Sequence, residues 1–139
     1  SPLPYFINSM FASTSPREQS AKALQWLNST FMEMVRQGAT TFWETPDGAQ
    51  AFGNAGSLCH GWSSVHVGFY GKYVLGISPV APGFSQFIFR PYIPDGCRFA
   101  SGEIPTPHGP IKVAWEIASN GKLHATTLEA PPQCTLLKA

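Results

Sequence analysis

The sequence is short of charged side chains. Only 12% of its 139 residues are Asp, Glu, Lys or Arg, against about 25% in an average globular protein. Nine basic and eight acidic residues give a net charge of +1. This balance argues against the basic surface that nucleic-acid binding requires and against a disordered chain. Because 43% of the residues are hydrophobic, the chain can form a core, and much of its surface must be hidden inside it or against a partner.

Cysteine is scarce as well, and the common catalytic and metal-binding motifs are missing. The three cysteines, Cys59, Cys97 and Cys134, form no CxxC pair, which argues against a zinc ribbon or a dense disulfide framework. A single Cys97–Cys134 disulfide and three buried free thiols both stay open. The four histidines lack metal-ligand spacing, with His66 expected in the core and His124 on the surface. No GxSxG, HExxH, P-loop or GxGxxG motif occurs, so we expect no metal and no cofactor.

Residues 48–71 contain no charged side chain. A run of this length can span a membrane, but its Gln, Asn, Ser and His side chains argue against that. We expect instead a helix over residues 57–75, capped by Ser57 and buried on all sides in a larger protein. On this helix His60 and Ser64 would share one face. The apolar stripe would consist of Leu58, Trp62, Val65, Phe69 and Tyr73.

The clearest helical pattern covers residues 15–37. Ser15 and Glu18 form a capping box, with Pro16 at the first helical position. The apolar positions at helical spacing are Leu24, Leu27, Phe31 and Met34. The following residues, 39–56, contain a proline and several glycines, which predict an irregular loop.

After residue 80 the hydrophobic period changes from that of a helix to that of a strand. Residues 111–117 alternate apolar and polar side chains, and Asn120-Gly121 is the typical turn of a β-hairpin that leads into residues 123–129. Further strands are expected at residues 87–89, 97–104 and 134–138. Five short strands of this kind predict an antiparallel sheet or a small sandwich.

Trp43 and Glu44 have the strongest chemical character, and they lie on the irregular segment before the second helix. Aromatic faces stack on sugar rings, and carboxylates carry out the acid–base steps of glycoside cleavage. A Trp–Glu pair therefore suits a carbohydrate site. The opposite interpretation stays open, because a single Glu on a loop is usually solvated and a Trp is usually part of the core.

Several segments, taken in order along the chain, carry a family resemblance. The most specific is Ala39-Thr40-Thr41-Phe42-Trp43-Glu44. The supporting segments are Pro4-Tyr5-Phe6, Ser57-Leu58-Cys59-His60-Gly61-Trp62-Ser63, Tyr73-Val74-Leu75-Gly76-Ile77, Pro82-Gly83-Phe84, Phe89-Arg90-Pro91, Ser101-Gly102-Glu103, Pro107-His108-Gly109 and Trp115-Glu116-Ile117. This series resembles the C-terminal end of bacterial and fungal α-L-rhamnosidases, which are inverting glycoside hydrolases.

The resemblance implies an α+β fold, with the last helices of an (α/α) six-hairpin toroid followed by a small antiparallel β-sandwich. Residues 1–80 would be the partial C-terminal end of the catalytic toroid, and residues 81–139 the β-sandwich domain. The implied partners are a rhamnose-containing glycoside or polysaccharide and the remainder of the toroid. Neither nucleic acid nor a membrane is expected as a partner.

The resemblance also implies roles for individual residues. Glu44 matches the general base, which activates water for hydrolysis with inversion, and Trp43 would lie against or beneath the sugar. His60 matches a histidine that contacts rhamnose, while Trp62 and Asp47 are candidates for the pocket wall. The family's general acid comes from an acidic cluster upstream in the toroid, so this chain alone is expected to be inactive.

Non-catalytic alternatives stay open. The β-rich half could be a carbohydrate-binding or scaffolding module with the helices only docking it, and Trp115 would then be its sugar contact. A structural fragment with no ligand of its own is the third interpretation.

Overall fold

The computed structural model describes the backbone of residues 16–137 and the side chains of residues 21–137. The regular elements are helix α1 (Pro16–Arg36), two short helical turns (Gly48–Gln50 and Ala51–Asn54), a composite helix of 3-10 (Gly61–Ser64), α (Val65–Phe69) and π (Tyr70–Val74) segments, and strands β1 (Ile77–Pro79), β2 (Gln86–Phe89), β3 (Phe99–Ile104), β4 (Ile111–Ile117), β5 (Leu123–Glu129) and β6 (Thr135–Leu136). This is the α+β class that was expected. Within the described residues, no helix combines the length and hydropathy of a membrane span.

The contacts divide the chain into two compact units. The N-terminal unit ends at Val67 and the C-terminal unit begins at Gly68. This division of contacts lies earlier in the chain than the domain boundary expected after residue 80, which stays a prediction.

Helix α1 follows its predicted pattern. It begins at Pro16, where a proline suits the first helical position, and continues to Arg36. Of the predicted stripe, Leu24, Leu27 and Met34 are buried, and Phe31 is half-buried. Burial of each such side chain stabilises the fold by about 1.5–3 kcal/mol, so the stripe fixes the face that α1 turns inward. The expected cap, Ser15, lies outside the described residues.

The second predicted helix begins later than expected. Helical structure covers residues 61–74, and the first turn of the predicted range, which includes Ser57, is not helical. The backbone of His60 is extended, and its N–H donates to the Phe42 carbonyl at 2.7 Å. This stretch therefore pairs with the preceding loop instead of continuing the helix. The predictions that Ser57 caps the helix and that His60 and Ser64 share a helix face are wrong for this reason.

The predicted apolar stripe of the composite helix is only partly buried within this chain. Phe69 and Tyr73 are buried and Val65 is half-buried, but Leu58 is 45% exposed and Trp62 is 64% exposed. The expected burial on all sides is therefore not achieved by the described residues themselves.

The C-terminal unit contains two three-stranded sheets, with strand orders β1-β2-β6 and β3-β4-β5. Their facing side chains form one core, consisting of Ile77, Phe87, Ile111, Val113 and Cys134. The predicted strands are present, and β1 is an additional strand that pairs antiparallel with β2. β6 joins β2 in parallel, whereas the β3-β4-β5 sheet is antiparallel throughout. Two sheets around a shared core make the expected sandwich.

The β4–β5 hairpin has the turn that the sequence predicts. Asn120 and Gly121 lie between the two strands, and the Asn120 side-chain oxygen accepts a hydrogen bond from the Lys122 N–H at 3.0 Å. On the strands, the exposed His124 lies 4.0 Å from the Glu116 carboxylate, so it is the surface cross-strand residue that was expected.

Trp115 lies in the core of the C-terminal unit. It is 1% exposed, and its indole N–H donates to the Val74 carbonyl at 2.9 Å. A buried indole with its polar group satisfied offers no ring face to a sugar. The contact that the carbohydrate-binding alternative required of Trp115 is therefore absent.

The cysteines are free thiols. Cys134 is buried in the sandwich core, Cys97 is half-buried and Cys59 is exposed. The disulfide interpretation is wrong for this structure, and so is the expectation of a buried thiol at Cys59.

Candidate functional site

The N-terminal unit contains a cavity of about 360 Å³ beside Glu44. This volume lies within the range of about 300–1,000 Å³ that is usual for small-molecule sites. Its lining includes Trp26 and Thr30 from α1, Glu44 and Phe52 from the following loop, His60 just before the composite helix and Trp62 in its first turn. Large aromatic surfaces surrounding a few polar groups are the composition that a sugar site requires.

Two short extended stretches hold Glu44 and His60 side by side. The Glu44 N–H donates to the Ser57 carbonyl at 2.9 Å, and the His60 N–H donates to the Phe42 carbonyl at 2.7 Å. The two stretches therefore run antiparallel, and such pairing determines which side chains are neighbours. This non-local pairing brings together two residues that are separated by a loop in the sequence.

The Glu44 carboxylate is anchored but accessible. Its Oε2 accepts a hydrogen bond from the Ser57 N–H at 3.3 Å and lies 4.0 Å from His60 Nδ1. The side chains of Glu44 and His60 are 32% and 31% exposed. A partly exposed pair of this kind contributes little to stability, about 0–1 kcal/mol, so its main effect is on orientation. The arrangement leaves a carboxylate that can contact water or a ligand in the cavity.

His66 lies outside this group of residues, in the core of the N-terminal unit. Its ring stacks on Phe31 with centroids 3.5 Å apart and lies nearly perpendicular to the Phe42 ring with centroids 4.6 Å apart. Burial lowers the pKa of His66 below its usual 6.5, and a hydrogen bond between Nδ1 and the Ser63 carbonyl acts in the opposite direction. His66 is therefore the core histidine that was expected.

Trp43 is not among the residues that line the cavity. The six-membered ring of Trp43 lies over Gly48, where an added Cβ would be 2.8 Å from Trp43 Cζ3. The contact between Trp43 and a sugar stays a prediction, and the structure gives the indole a different neighbour.

Asp47 also lies outside the cavity lining. It is exposed, it precedes the helical turn at Gly48–Gln50, and its side chain makes no capping hydrogen bond there. Of the five candidate site residues, the structure thus brings together Glu44, His60 and Trp62. The expected role of Asp47 in the pocket wall stays a prediction.

Two cavity residues from α1, Trp26 and Thr30, and one from the loop, Phe52, were not singled out by the sequence pattern. Trp26 and Thr30 are four residues apart and share a helix face beside the apolar stripe. The signal in the sequence that could have identified this face is Trp26, an aromatic residue next to the apolar stripe. For Phe52 no comparable signal exists, because its position depends on a loop with a backbone φ of 53°.

No group of three or more His, Cys, Asp or Glu side chains within the described residues is arranged to hold a metal ion. Of the side chains that line the cavity in this part of the chain, only Glu44 carries a carboxyl group. The described lining of the cavity therefore offers one carboxyl group, one imidazole and several apolar contacts.

Comparison with known proteins identifies similar chains. Residues 76–137 match the family model described as "Bacterial alpha-L-rhamnosidase C-terminal domain". An α-L-rhamnosidase from Alteromonas sp. (strain LOR) is 37% identical over an alignment of 93 residues, with coverage of 63% of this chain and 10% of that protein.

Solved structures give the same result. The α-L-rhamnosidase of Streptomyces avermitilis in complex with L-rhamnose is 29% identical, with a TM-score of 0.60, over 73% of this chain and 10% of that one. A GH78 rhamnosidase of Bacillus sp. GL1 is 30% identical, with a TM-score of 0.73, over 94% of this chain and 14% of that one. The chain thus spans about a tenth to a seventh of the length of these relatives. Its resemblance to the C-terminal part of α-L-rhamnosidases is confirmed.

Proposed function

We propose that this chain is the C-terminal part of an inverting α-L-rhamnosidase and that it contributes Glu44 as the general base. The observation that carries the proposal is the anchored Glu44 carboxylate beside His60 in an aromatic cavity. We also propose that residues 1–80 end an α/α catalytic toroid and that residues 81–139 form its β-sandwich domain. The start of the family match at residue 76 supports a boundary in this part of the chain.

In this proposal the Glu44 carboxylate accepts a proton from a water molecule in the cavity. The water oxygen attacks the anomeric carbon of the rhamnoside from the face opposite the leaving group, so the configuration at that carbon inverts. A second carboxyl group protonates the leaving oxygen, at a distance of about 6.5–9.5 Å from the base that leaves room for the water. That general acid would come from the remainder of the toroid.

The other cavity residues suit the sugar. Rhamnose is a 6-deoxy sugar and carries a methyl group, so it presents both hydroxyl groups and an apolar end. Trp62 would contact the apolar part of the ring, and His60 would bind a hydroxyl group through an imidazole nitrogen. The substrate class is therefore a terminal α-L-rhamnoside of a glycoside or polysaccharide.

Replacement of Glu44 tests the assignment of the base. In the full-length enzyme that carries these residues, Glu44→Gln keeps the size of the side chain and removes its basicity. Because general base catalysis contributes about 10²–10⁴-fold, we expect kcat on an aryl α-L-rhamnoside to fall by at least about 100-fold. A near-wild-type kcat would remove Glu44 from the mechanism.

A matched control is available on α1. Glu33 is a carboxylate whose neighbours are Arg36, at 3.5 Å, and the Gln37 side chain, at 3.1 Å. Glu33→Gln removes the same charge without touching the cavity lining, so kcat should stay within twofold of wild type. Proton NMR of the first sugar released should show the β anomer of rhamnose, and initial release of the α anomer would contradict inversion.

A further inference from the structure

We propose that Trp43 is a positioning residue for Glu44 rather than a contact of the sugar. This inference rests on the proposed function of Glu44 as a base. It concerns the loop between Trp43 and Ser57, which turns back so that the Ser57 N–H reaches the Glu44 carboxylate at 3.3 Å.

Trp43 and its two neighbours in the sequence contact different parts of the N-terminal unit. Glu44 and Phe42 both face α1, since each lines a pocket with Phe31 and Met34 of that helix. Trp43 stands between them in the sequence but lines neither pocket, and its ring lies over Gly48 instead. Because its ring is directed at Gly48, the indole is not part of the surface that a sugar in the cavity would contact.

The loop after Glu44 packs through two glycines, Gly48 and Gly56. Gly48 is buried with a φ of +56°, and the Trp43 ring covers it, because an added Cβ would be 2.8 Å from Cζ3. Gly56 packs against Gly48 in turn, since its own Cβ would be 2.0 Å from the Gly48 carbonyl oxygen. The Trp43 indole therefore packs on Gly48, and Gly48 packs on Gly56.

Ser57 connects this packing to the Glu44 carboxylate. Gly56 directly precedes Ser57, whose N–H donates to Glu44 Oε2 and whose carbonyl accepts from the Glu44 N–H. A continuous path of contacts thus runs from the Trp43 ring to the group that orients the base. If the ring is made smaller, the loop loses its support and the Ser57 donor moves relative to Glu44.

A misplaced base slows the chemical step but leaves the sugar contacts intact. An error of about 1 Å in the placement of a reacting group can cost up to about 100-fold in rate. A residue that contacts the sugar in the ground state affects KM instead. The ratio of the two effects separates the positioning role from the binding role.

The experiment uses the full-length enzyme and an aryl α-L-rhamnoside. For Trp43→Phe we expect kcat to fall about 10- to 100-fold, while KM and the inhibition constant of free L-rhamnose stay within twofold. Trp62→Phe is the reference for a sugar contact and should raise both constants. A Trp43→Phe variant that raises KM and the rhamnose constant instead, or that changes only the thermal midpoint at unchanged kcat, overturns the proposal.

A glycine pair tests the same contact from the other side. Gly48→Ala drives a methyl group into the Trp43 ring, whereas Gly53→Ala, at a φ of +71°, has a similar backbone and nothing within 4 Å. We expect Gly48→Ala to lower kcat at least tenfold and Gly53→Ala to leave it within twofold. In the Trp43→Phe background the smaller ring leaves room for the methyl group, so Gly48→Ala should have little further effect. If the kcat losses of Trp43→Phe and Gly48→Ala multiply in the double variant, the two residues act independently and the proposal is overturned.

The outcomes also separate this inference from the proposed function. A fully active Glu44→Gln variant removes the base itself. An inactive Glu44→Gln variant together with a Trp43→Phe variant of unchanged kcat retains the base and rejects only the positioning role of Trp43.

Discussion

We expect His66, which lies against the rings of Phe31 and Phe42, to make the N-terminal unit less stable in acid. His66 is buried against Phe31 and Phe42, and this burial lowers its pKa below 6.5. In the unfolded chain the His66 imidazole binds a proton near pH 6.5, but in the folded chain it binds that proton only at a lower pH. His66 therefore does not reduce the free energy of unfolding above about pH 6.5. Below that pH its protonation in the unfolded chain lowers the free energy of unfolding, until the pH reaches the folded-state pKa.

The measurement is the free energy of unfolding of this chain in urea at a series of pH values. His66→Phe removes the titrating group, so the slope of stability against pH should become smaller in this window. His108→Gln removes an exposed turn histidine and serves as the control that keeps the slope. An unchanged slope in His66→Phe would contradict the assignment.

At the residue scale, the sequence predicts which residues belong to the site better than it predicts where their side chains point. The run that ends in Glu44 and the downstream His60 could be chosen from the sequence, and they share the cavity. The direction of Trp43 could not be predicted, because it depends on a loop that closes through Gly48 and Gly56. No local periodicity describes contacts of that kind.

At the scale of elements, the join between the composite helix and β1 depends on Gly76. Its φ is +83°, and an added Cβ would lie 2.3 Å from the Pro91 nitrogen. Its carbonyl also accepts the Arg90 N–H at 2.7 Å, which continues the pairing of β1 with β2. A side chain at this position would combine a left-handed backbone with a steric clash against another main-chain segment.

Gly76→Ala should therefore destabilise the C-terminal unit strongly, by about 3–5 kcal/mol from backbone strain and overpacking together. Gly121→Ala is the matched control, since Gly121 has a φ of +76° and nothing within 4 Å. It should cost only about 1–2 kcal/mol. Urea unfolding of the two variants gives the comparison, and equal losses would show that the contact with Pro91 has no energetic role.

Elements with strong local signals were predicted, and those that depend on distant partners were not. The stripe of α1 and the Asn120-Gly121 turn are local, and both are present as expected. The three-residue strand β1 exists only because β2 supplies its partner. The helix start at Gly61, rather than Ser57, follows from backbone hydrogen bonds to the loop that carries Glu44, which no helical period reveals.

At the scale of the whole chain, the low charge content has a structural counterpart. Several large apolar side chains of the N-terminal unit are exposed, among them Trp26, Met32, Val35, Phe52, Trp62 and Val67. Three of them, Trp26, Phe52 and Trp62, line the same cavity, and grouped exposed apolar side chains mark a contact with a partner or a ligand. It agrees with the proposal that the remainder of an α/α toroid packs against this unit and completes the cavity.

The same proposal predicts that the isolated chain does not hydrolyse rhamnosides. Inversion requires two carboxyl groups about 6.5–9.5 Å apart, and Glu44 is the only carboxyl among the cavity-lining residues that the structure describes. The isolated chain should therefore show the same rate on an aryl α-L-rhamnoside as its own Glu44→Gln variant, with circular dichroism used to verify that both are folded. The full-length enzyme should differ from its Glu44→Gln variant by at least about 100-fold under the same conditions. Hydrolysis by the isolated chain that disappears in Glu44→Gln would mean that the general acid lies within these 139 residues, and the division of the catalytic pair between two parts of the toroid would be wrong.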